Sequence, residues 1–217
     1  MTPSHRRRPI AAWLLVALTA ACGSKAPPPT PPRNTPTGPA APTPAPAPVD
    51  AFAAEAAAAG FVYQPPAGFV VTPVTDNRDV FFSHAVTSAD HRIELRFALR
   101  PYPADLAPAM RSRQFSSTFF LTAILNLTRG GSSGEAAAAE PVPASDWAAD
   151  EATMTMIRWF DVAGPADAFG TGFAFAAVLY LHRDGLGDGY LFVMMKDREA
   201  LAQMTEEAFH ALRFAPR

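Results

Sequence analysis

The chain has 217 residues, of which 49 % are hydrophobic and 18 % charged, and it carries a single cysteine. Lys and Arg number 18 against 20 Asp and Glu, and three of the arginines stand at the extreme N-terminus. The remainder is therefore acidic, which removes the electrostatic basis for holding nucleic acid or anionic lipid. A single cysteine also excludes internal disulfides, CxxC redox pairs, thiolate zinc sites and iron–sulfur clusters.

Residues 1–21 have three zones. His5, Arg6, Arg7 and Arg8 come first, followed by an apolar run from Ile10 that ends in small residues at Ala21. This is the shape of a secretory signal, and the run falls short of the ~20 residues that a bilayer core requires. Cys22 follows directly. The stretch Leu18-Thr19-Ala20-Ala21-Cys22 resembles the lipobox of bacterial lipoproteins, although Thr19 holds the place where leucine is commonest. That resemblance implies that Cys22 carries a diacylglyceryl group with fatty-acyl chains such as palmitate. Cleavage would then make it the first residue of the mature protein. Such chains exceed the two signals that stable anchoring needs, and no thiol would remain to act as a nucleophile. Gly23 stands where Asp would resemble an inner-membrane retention signal. The implied address is the outer membrane, with the body facing the periplasm.

Between Ala26 and Pro48 lie eleven prolines. Proline lacks an N–H and fixes φ, so the composition predicts a polyproline II spacer of on the order of 70 Å within a linker over residues 22–49. A single folded domain is expected over residues 50–217, long enough to bury a core without disulfides.

Within that domain, DAFAAEAAAAG (50–60) predicts a short helix closed by Gly60. FVYQPPAGFVVTPV predicts short strands around a Pro-Pro-Ala-Gly turn. In RIELRFALR, Ile93, Leu95, Phe97 and Leu99 alternate with Arg92, Glu94, Arg96, Ala98 and Arg100. That period predicts an antiparallel strand with one face wet, paired with DVFFSHAVT across Ser88-Ala89-Asp90. A helix is expected from Asp105 to Arg129, with Leu106, Met110, Phe119, Phe120, Ile124 and Leu127 as its apolar positions. GGSSGEAAAAEPVPASDW predicts a loop. ATMTMIRWFDV predicts one strand, and GTGFAFAAVLYLHRDGLGDGYLFVMMKD two more about an Asp184–Gly189 turn. Asp197 caps a last expected helix that carries Leu201, Met204, Ala208 and Leu212.

This order predicts an α+β fold, an antiparallel sheet with helices packed on it. The late hairpin ending in YLFVMMKD and the final ALRF resemble PsbP-like α/β/α sandwich domains. The resemblance rests on element order. It implies a binding or assembly scaffold and brings over no functional residue.

Four local patterns bear on chemistry. Gly130-Gly131-Ser132-Ser133-Gly134 matches G-x-S-x-G, but a nucleophile elbow needs a buried parallel strand before it and a long helix after it. As a hydrolase, the chain would use Ser132 with Asp161 and His182 or His210. Asp184-Gly185-Leu186-Gly187-Asp188-Gly189 lacks the alternating oxygen ligands of a calcium loop and reads as a tight turn. Met154 with Met156, and Met194 with Met195, have no His or Cys beside them and read as core rather than as Cu(I) ligands. His84, His91, His182 and His210 share no ligand spacing and are expected at the surface or in turns. The expectation is a non-catalytic envelope lipoprotein without metal or cofactor. It would be held to the membrane by its lipid, and would bind an envelope protein or a small molecule. The alternative is a small serine hydrolase.

Overall fold

A computed structural model describes residues 49–129 and 133–217. Helix α1 (Val49–Ala58) ends at Gly60, whose φ of +81° is one that L side chains rarely adopt. Strands β1 (Phe61–Tyr63) and β2 (Val70–Val71) flank the Pro-Pro-Ala-Gly turn without pairing to each other; β2 pairs with β3 instead. β3 (His84–Thr87) and β4 (Ile93–Pro101) form the expected hairpin, with His84 opposite Phe97 and Thr87 opposite Glu94. Residues 79–82 stay outside that hairpin. The Asn77 side chain accepts from the N–H groups of Asp79 and Val80 and turns the chain before the strand starts.

The helix expected from Asp105 begins only at Arg113. Pro103 and Pro108 break the earlier stretch into a 3₁₀ turn (Pro108–Arg111), and the Ser112 hydroxyl accepts from Phe115 N–H at the start of α2 (Arg113–Arg129). Of its expected apolar positions only Phe120 and Leu127 are buried, with Ile124 packed beside them. The expected loop after it contributes two edge strands, β5 (Gly134–Ala136) and β6 (Glu140–Pro141), and a 3₁₀ turn (Ala144–Trp147). Both strands pair with β7 (Glu151–Trp159). Edge pairing uses backbone groups, and small residues meet that demand without a hydrophobic pattern to announce it.

β8 (Phe175–Arg183) and β9 (Gly187–Met195) are buried along their whole length. The last expected helix is divided into α3 (Arg198–Gln203), capped by Asp197, and α4 (Glu206–Phe209). Leu212 belongs not to a helix but to β10 (Leu212–Phe214), which pairs with β1. Leu212 and Phe214 are buried with Arg213 half-exposed between them, a period of two that the helical reading overlooked.

The main sheet is antiparallel throughout, ordered β2-β3-β4-β9-β8-β7-β5, with β6 also on β7. It separates two cores. On one face Leu95, Phe97, Leu179, Leu191 and Val193 meet α1, Trp147, Phe209 and the β1–β10 ribbon. On the other Val178, Tyr180, Phe192 and Met194 meet Phe120 and Leu127 of α2, with Phe82, Phe169 and Phe173 from loops. An indole N–H closes each face: Trp147 donates to Phe209 O at 2.8 Å, and Trp159 to Leu127 O at 2.9 Å. The second of these satisfies a carbonyl in the last turn of α2 that lacks a helical partner. β4 therefore has no wet face. Ala98 is buried, and Arg96 lies beneath Phe169, Phe82 and Phe173, its Cζ 4.5, 5.0 and 5.3 Å from their ring centroids. No described helix is long and apolar enough to cross a membrane.

Candidate functional site

The described polar groups gather most densely where four strands lie in register. Arg100 on β4 faces Asp188 on β9, Asp188 faces His182 on β8, and His182 faces Glu151 on β7. Directly opposed residues point to the same face, so the row alternates in sign across the sheet. The N-terminal half of α2 covers it. Arg113 ion-pairs with Glu151, and Ser116 is hydrogen-bonded to Tyr102, which follows β4.

Asp188 is fully buried, and its own surroundings supply its donors. Oδ2 accepts from Arg100 at 3.1 Å. Oδ1 accepts from Tyr102 at 3.2 Å and Tyr180 at 3.4 Å, and lies 2.8 Å from His182 Nδ1. The other imidazole nitrogen, Nε2, is 3.0 Å from Asp184 Oδ1. Both ring nitrogens thus face carboxylate oxygens, and only the imidazolium can donate from both. Burial pulls the His182 pKa down. The bonds to Asp188 and Asp184, with the charges of those carboxylates, outweigh that effect and hold it above the ordinary imidazole value. Burial, followed by the nearby Asp188 charge, raises the Tyr180 hydroxyl. Arg100 is completed by its neighbours: its Cζ lies 3.7 Å from the Phe119 ring centroid and 5.6 Å from that of Phe115. With His182, Asp188 and Ser116 each at 0 % exposure, the cluster holds a charge and pins α2 to the sheet without offering an acid or base to solvent.

Of the residues named for hydrolysis, Asp161 and His182 stand far apart. Asp161 lies past the C-terminal end of β7, where its carboxylate accepts from Ala163 N–H in a local turn. His182 pairs with Glu151 at the strand's other end, while Arg158 near Asp161 pairs with Phe175. Seven residues along β8 separate those pairs, about 23 Å at ~3.3 Å per residue. His210 stacks on Trp147, with centroids 5.0 Å apart, and its Nε2 is 3.7 Å from Glu206 Oε1. Ser132, with Gly130 and Gly131, lies outside the described residues, as does Cys22. The carbonyl of Ser133 accepts from Phe160 N–H.

The Asp184–Gly189 stretch is a turn of three residues with Asp188 already in β9, and no described group of three or more His, Cys, Asp or Glu could hold a metal. Met154 and Met156 pack into the α1-side core, while Met195 joins that core and Met194 the opposite one. Two histidines expected at the surface or in turns are instead buried in strands. Besides His182, His84 is 2 % exposed, stacked on Phe52 at 4.3 Å with its Nε2 2.9 Å from the Tyr63 hydroxyl. Tyr102, Ser116 and Arg100 escaped notice as site residues because nothing local marks them. The available signal was the hairpin register, which sets His182 opposite Asp188 as soon as a three-residue turn is assumed.

No family model and no curated protein matches the chain. Among solved structures it is similar to the solution structure of the cyanobacterial PsbP protein CyanoP from Synechocystis sp. PCC 6803. The two share 11 % identity at a TM-score of 0.45, and the match covers 73 % of this chain and 88 % of that one.

Proposed function

We propose that the chain is a lipid-anchored envelope protein of the outer membrane, facing the periplasm, whose domain is a non-catalytic binding or assembly module. The observation that carries the reading is Cys22 placed directly after a basic-then-apolar signal and before a proline-rich spacer. The non-catalytic part is supported by the His182–Asp188 cluster, whose carboxylate is already committed to Arg100, Tyr102, Tyr180 and His182.

Cys22→Ser tests the anchor. It is expected to abolish acylation, and either to release the protein from membranes or to leave the precursor uncleaved. Unchanged membrane fractionation together with an unchanged N-terminal mass would overturn the anchor. A fluorophosphonate probe tests the second part, and labelling that disappears in Ser132→Ala would replace the module with a serine hydrolase.

A further inference from the structure

We propose that the N-terminal half of α2 is a lid latched by charge, closed while the row beneath it is balanced and lifting about the C-terminal half when the row loses a positive charge. The two halves are held to the sheet by different forces. In the C-terminal half, Phe120 stacks on Tyr180 with centroids 5.2 Å apart, Leu127 is buried, and the Leu127 carbonyl accepts from Trp159. Asn126 also donates to Asp79 O. Apolar burial of this kind carries no charge and is indifferent to pH. Between Arg113 and Phe119, Ser116 alone is buried. This half is held by the Ser116–Tyr102 bond, the Arg113–Glu151 ion pair, and the Phe115 and Phe119 rings against the Arg100 guanidinium. Each of these contacts ends on the charged row or on Tyr102, which bonds to it. The chain leading into the lid can follow it. The 3₁₀ turn Pro108–Arg111 buries no side chain, and Arg111 donates to the carbonyls of Pro103, Ala104 and Leu106, so the segment is folded on itself.

His182 is the member of the row whose side chain changes charge most readily. β9 turns Asp188 toward it, β7 turns Glu151, and the β8–β9 turn supplies Asp184. Arg100 on β4 reaches Asp188 as well, and α2 adds Ser116 and Arg113. Tyr102, Tyr180 and Tyr190 bring three hydroxyls, while Asp150 and Arg183 alongside are occupied by Arg217 and by Ala215 O. With His182 charged, it matches Asp184, Asp188 and Glu151 one for one together with Arg100 and Arg113. A neutral imidazole donates from one nitrogen only, and the other turns a lone pair to a carboxylate oxygen at 2.8 or 3.0 Å. Tyr102 lies 3.3 Å from His182 Nδ1 and 3.2 Å from Asp188 Oδ1, but its single proton serves only one of them. No rearrangement within the cluster replaces the lost donor, and a buried negative charge is left unmatched. Lifting the lightly buried half of α2, which covers the row, admits water as the substitute. Despite burial, the two carboxylates hold His182 above its ordinary pKa, so the lid is closed below pH ~6.5 and opens as the proton leaves at higher pH. Neither lipid anchoring nor a particular ligand is needed for this motion.

The test measures distances between paired spin labels in the chain carrying Cys22→Ser, where the introduced cysteines are the only thiols. Gln114→Cys with Leu186→Cys spans the lid and the β8–β9 turn, and Leu125→Cys with Leu186→Cys spans the other half of α2 and the same turn; all three positions are exposed. At about pH 6 each pair should give one distance. As pH rises from about 7 to 10, the first pair should gain a longer distance. The ratio of open to closed should grow by no more than about tenfold per pH unit, the limit for one proton. The second pair and the far-ultraviolet ellipticity should not change. His182→Gln should show the longer distance already at pH 6, with no further dependence on pH. Should that variant fail to fold, Arg113→Gln, at an exposed arginine, should enlarge the open share severalfold at about pH 8 and keep the pH dependence. A single unchanging distance for the first pair would overturn the proposal, as would lengthening of both pairs together or a loss of ellipticity alongside. So would pH-dependent opening in a folded His182→Gln protein, or an Arg113→Gln protein that opens no more than its parent.

Discussion

His84 and His182 are both buried, yet they couple stability to pH in opposite senses. Burial lowers the His84 pKa to about 4 from the ordinary 6.5. Unfolding lets it take up a proton at any pH below that ordinary value, so its burial costs stability progressively as pH falls from about 6.5 to about 4, by at most ~1.4 kcal/mol per pH unit. His84→Phe should flatten the denaturation midpoint across that window; an unchanged slope would show that another group carries it. His182 is held above its ordinary value, so its contribution is complete below pH ~6.5 and is lost as pH rises through its folded value. His182→Gln should remove that alkaline decline and cost roughly 3 kcal/mol, because Asp188 keeps its burial and loses a charged donor. Guanidinium titrations of both proteins at about pH 6 and pH 9 measure the two effects. Arg96 illustrates a different point. Its guanidinium donates to Glu94 and to the Phe169 carbonyl under three phenyl rings. Arg96→Ala should therefore cost roughly 1–3 kcal/mol rather than the near-zero of a wet surface arginine, against ~3–5 kcal/mol for Phe97→Ala on the other face. Equal midpoints for Arg96→Ala and the unaltered protein would place that arginine back in solvent.

At the scale of elements, the β8–β9 hairpin depends on its return. Gly187 sits at φ +148°, and a Cβ there would lie 2.4 Å from Arg100 O and 2.8 Å from Pro101 Cα. The obstacle is backbone of the neighbouring strand, which cannot swing aside. Gly187→Ala should destabilise by several kcal/mol and, by shifting β9, disturb the Arg100–Asp188 contact; a thermal midpoint within about 2 °C of the parent would contradict this. The strands were legible in the sequence where the pattern was strong. Leu95 and Phe97 alternate with polar neighbours, and the long apolar runs of β8 and β9 belong in the middle of a sheet. Elements whose cause lies elsewhere in the chain were not legible. Leu212–Phe214 is a strand because Phe61–Tyr63 offers it an edge, and Gly134–Ala136 is one because β7 does. The covered face of β4 was hidden for the same reason, since Phe82, Phe169 and Phe173 approach it from distant loops. The charge row needed pairing register across four strands, and single residues carry no trace of that.

Among the described residues, two cores share one sheet, and each contains one buried tryptophan: Trp147 on the α1 side and Trp159 on the α2 side, at 0 % and 3 % exposure. Because Val178 and Leu179, or Phe192 and Leu191, alternate between the cores along the same strands, neither face can melt and leave the other intact. Urea unfolding followed by fluorescence in Trp147→Phe and in Trp159→Phe should each parallel the loss of far-ultraviolet ellipticity, as a two-state unit requires. A fluorescence transition preceding the ellipticity change in either variant would show that the faces unfold separately. The β1–β10 ribbon adds a mechanical consequence. Phe61 pairs with Phe214 and Tyr63 with Leu212, so the incoming and outgoing chain leave the ribbon at the same end. A pull applied between the N-terminal end of α1 and Arg217 would load these hydrogen bonds one after another, as a zip is opened, rather than all at once in shear. The ribbon's hydrogen bonds would be the first to open, and losing α1 and the ribbon would uncover one core and bring the shared sheet down with it.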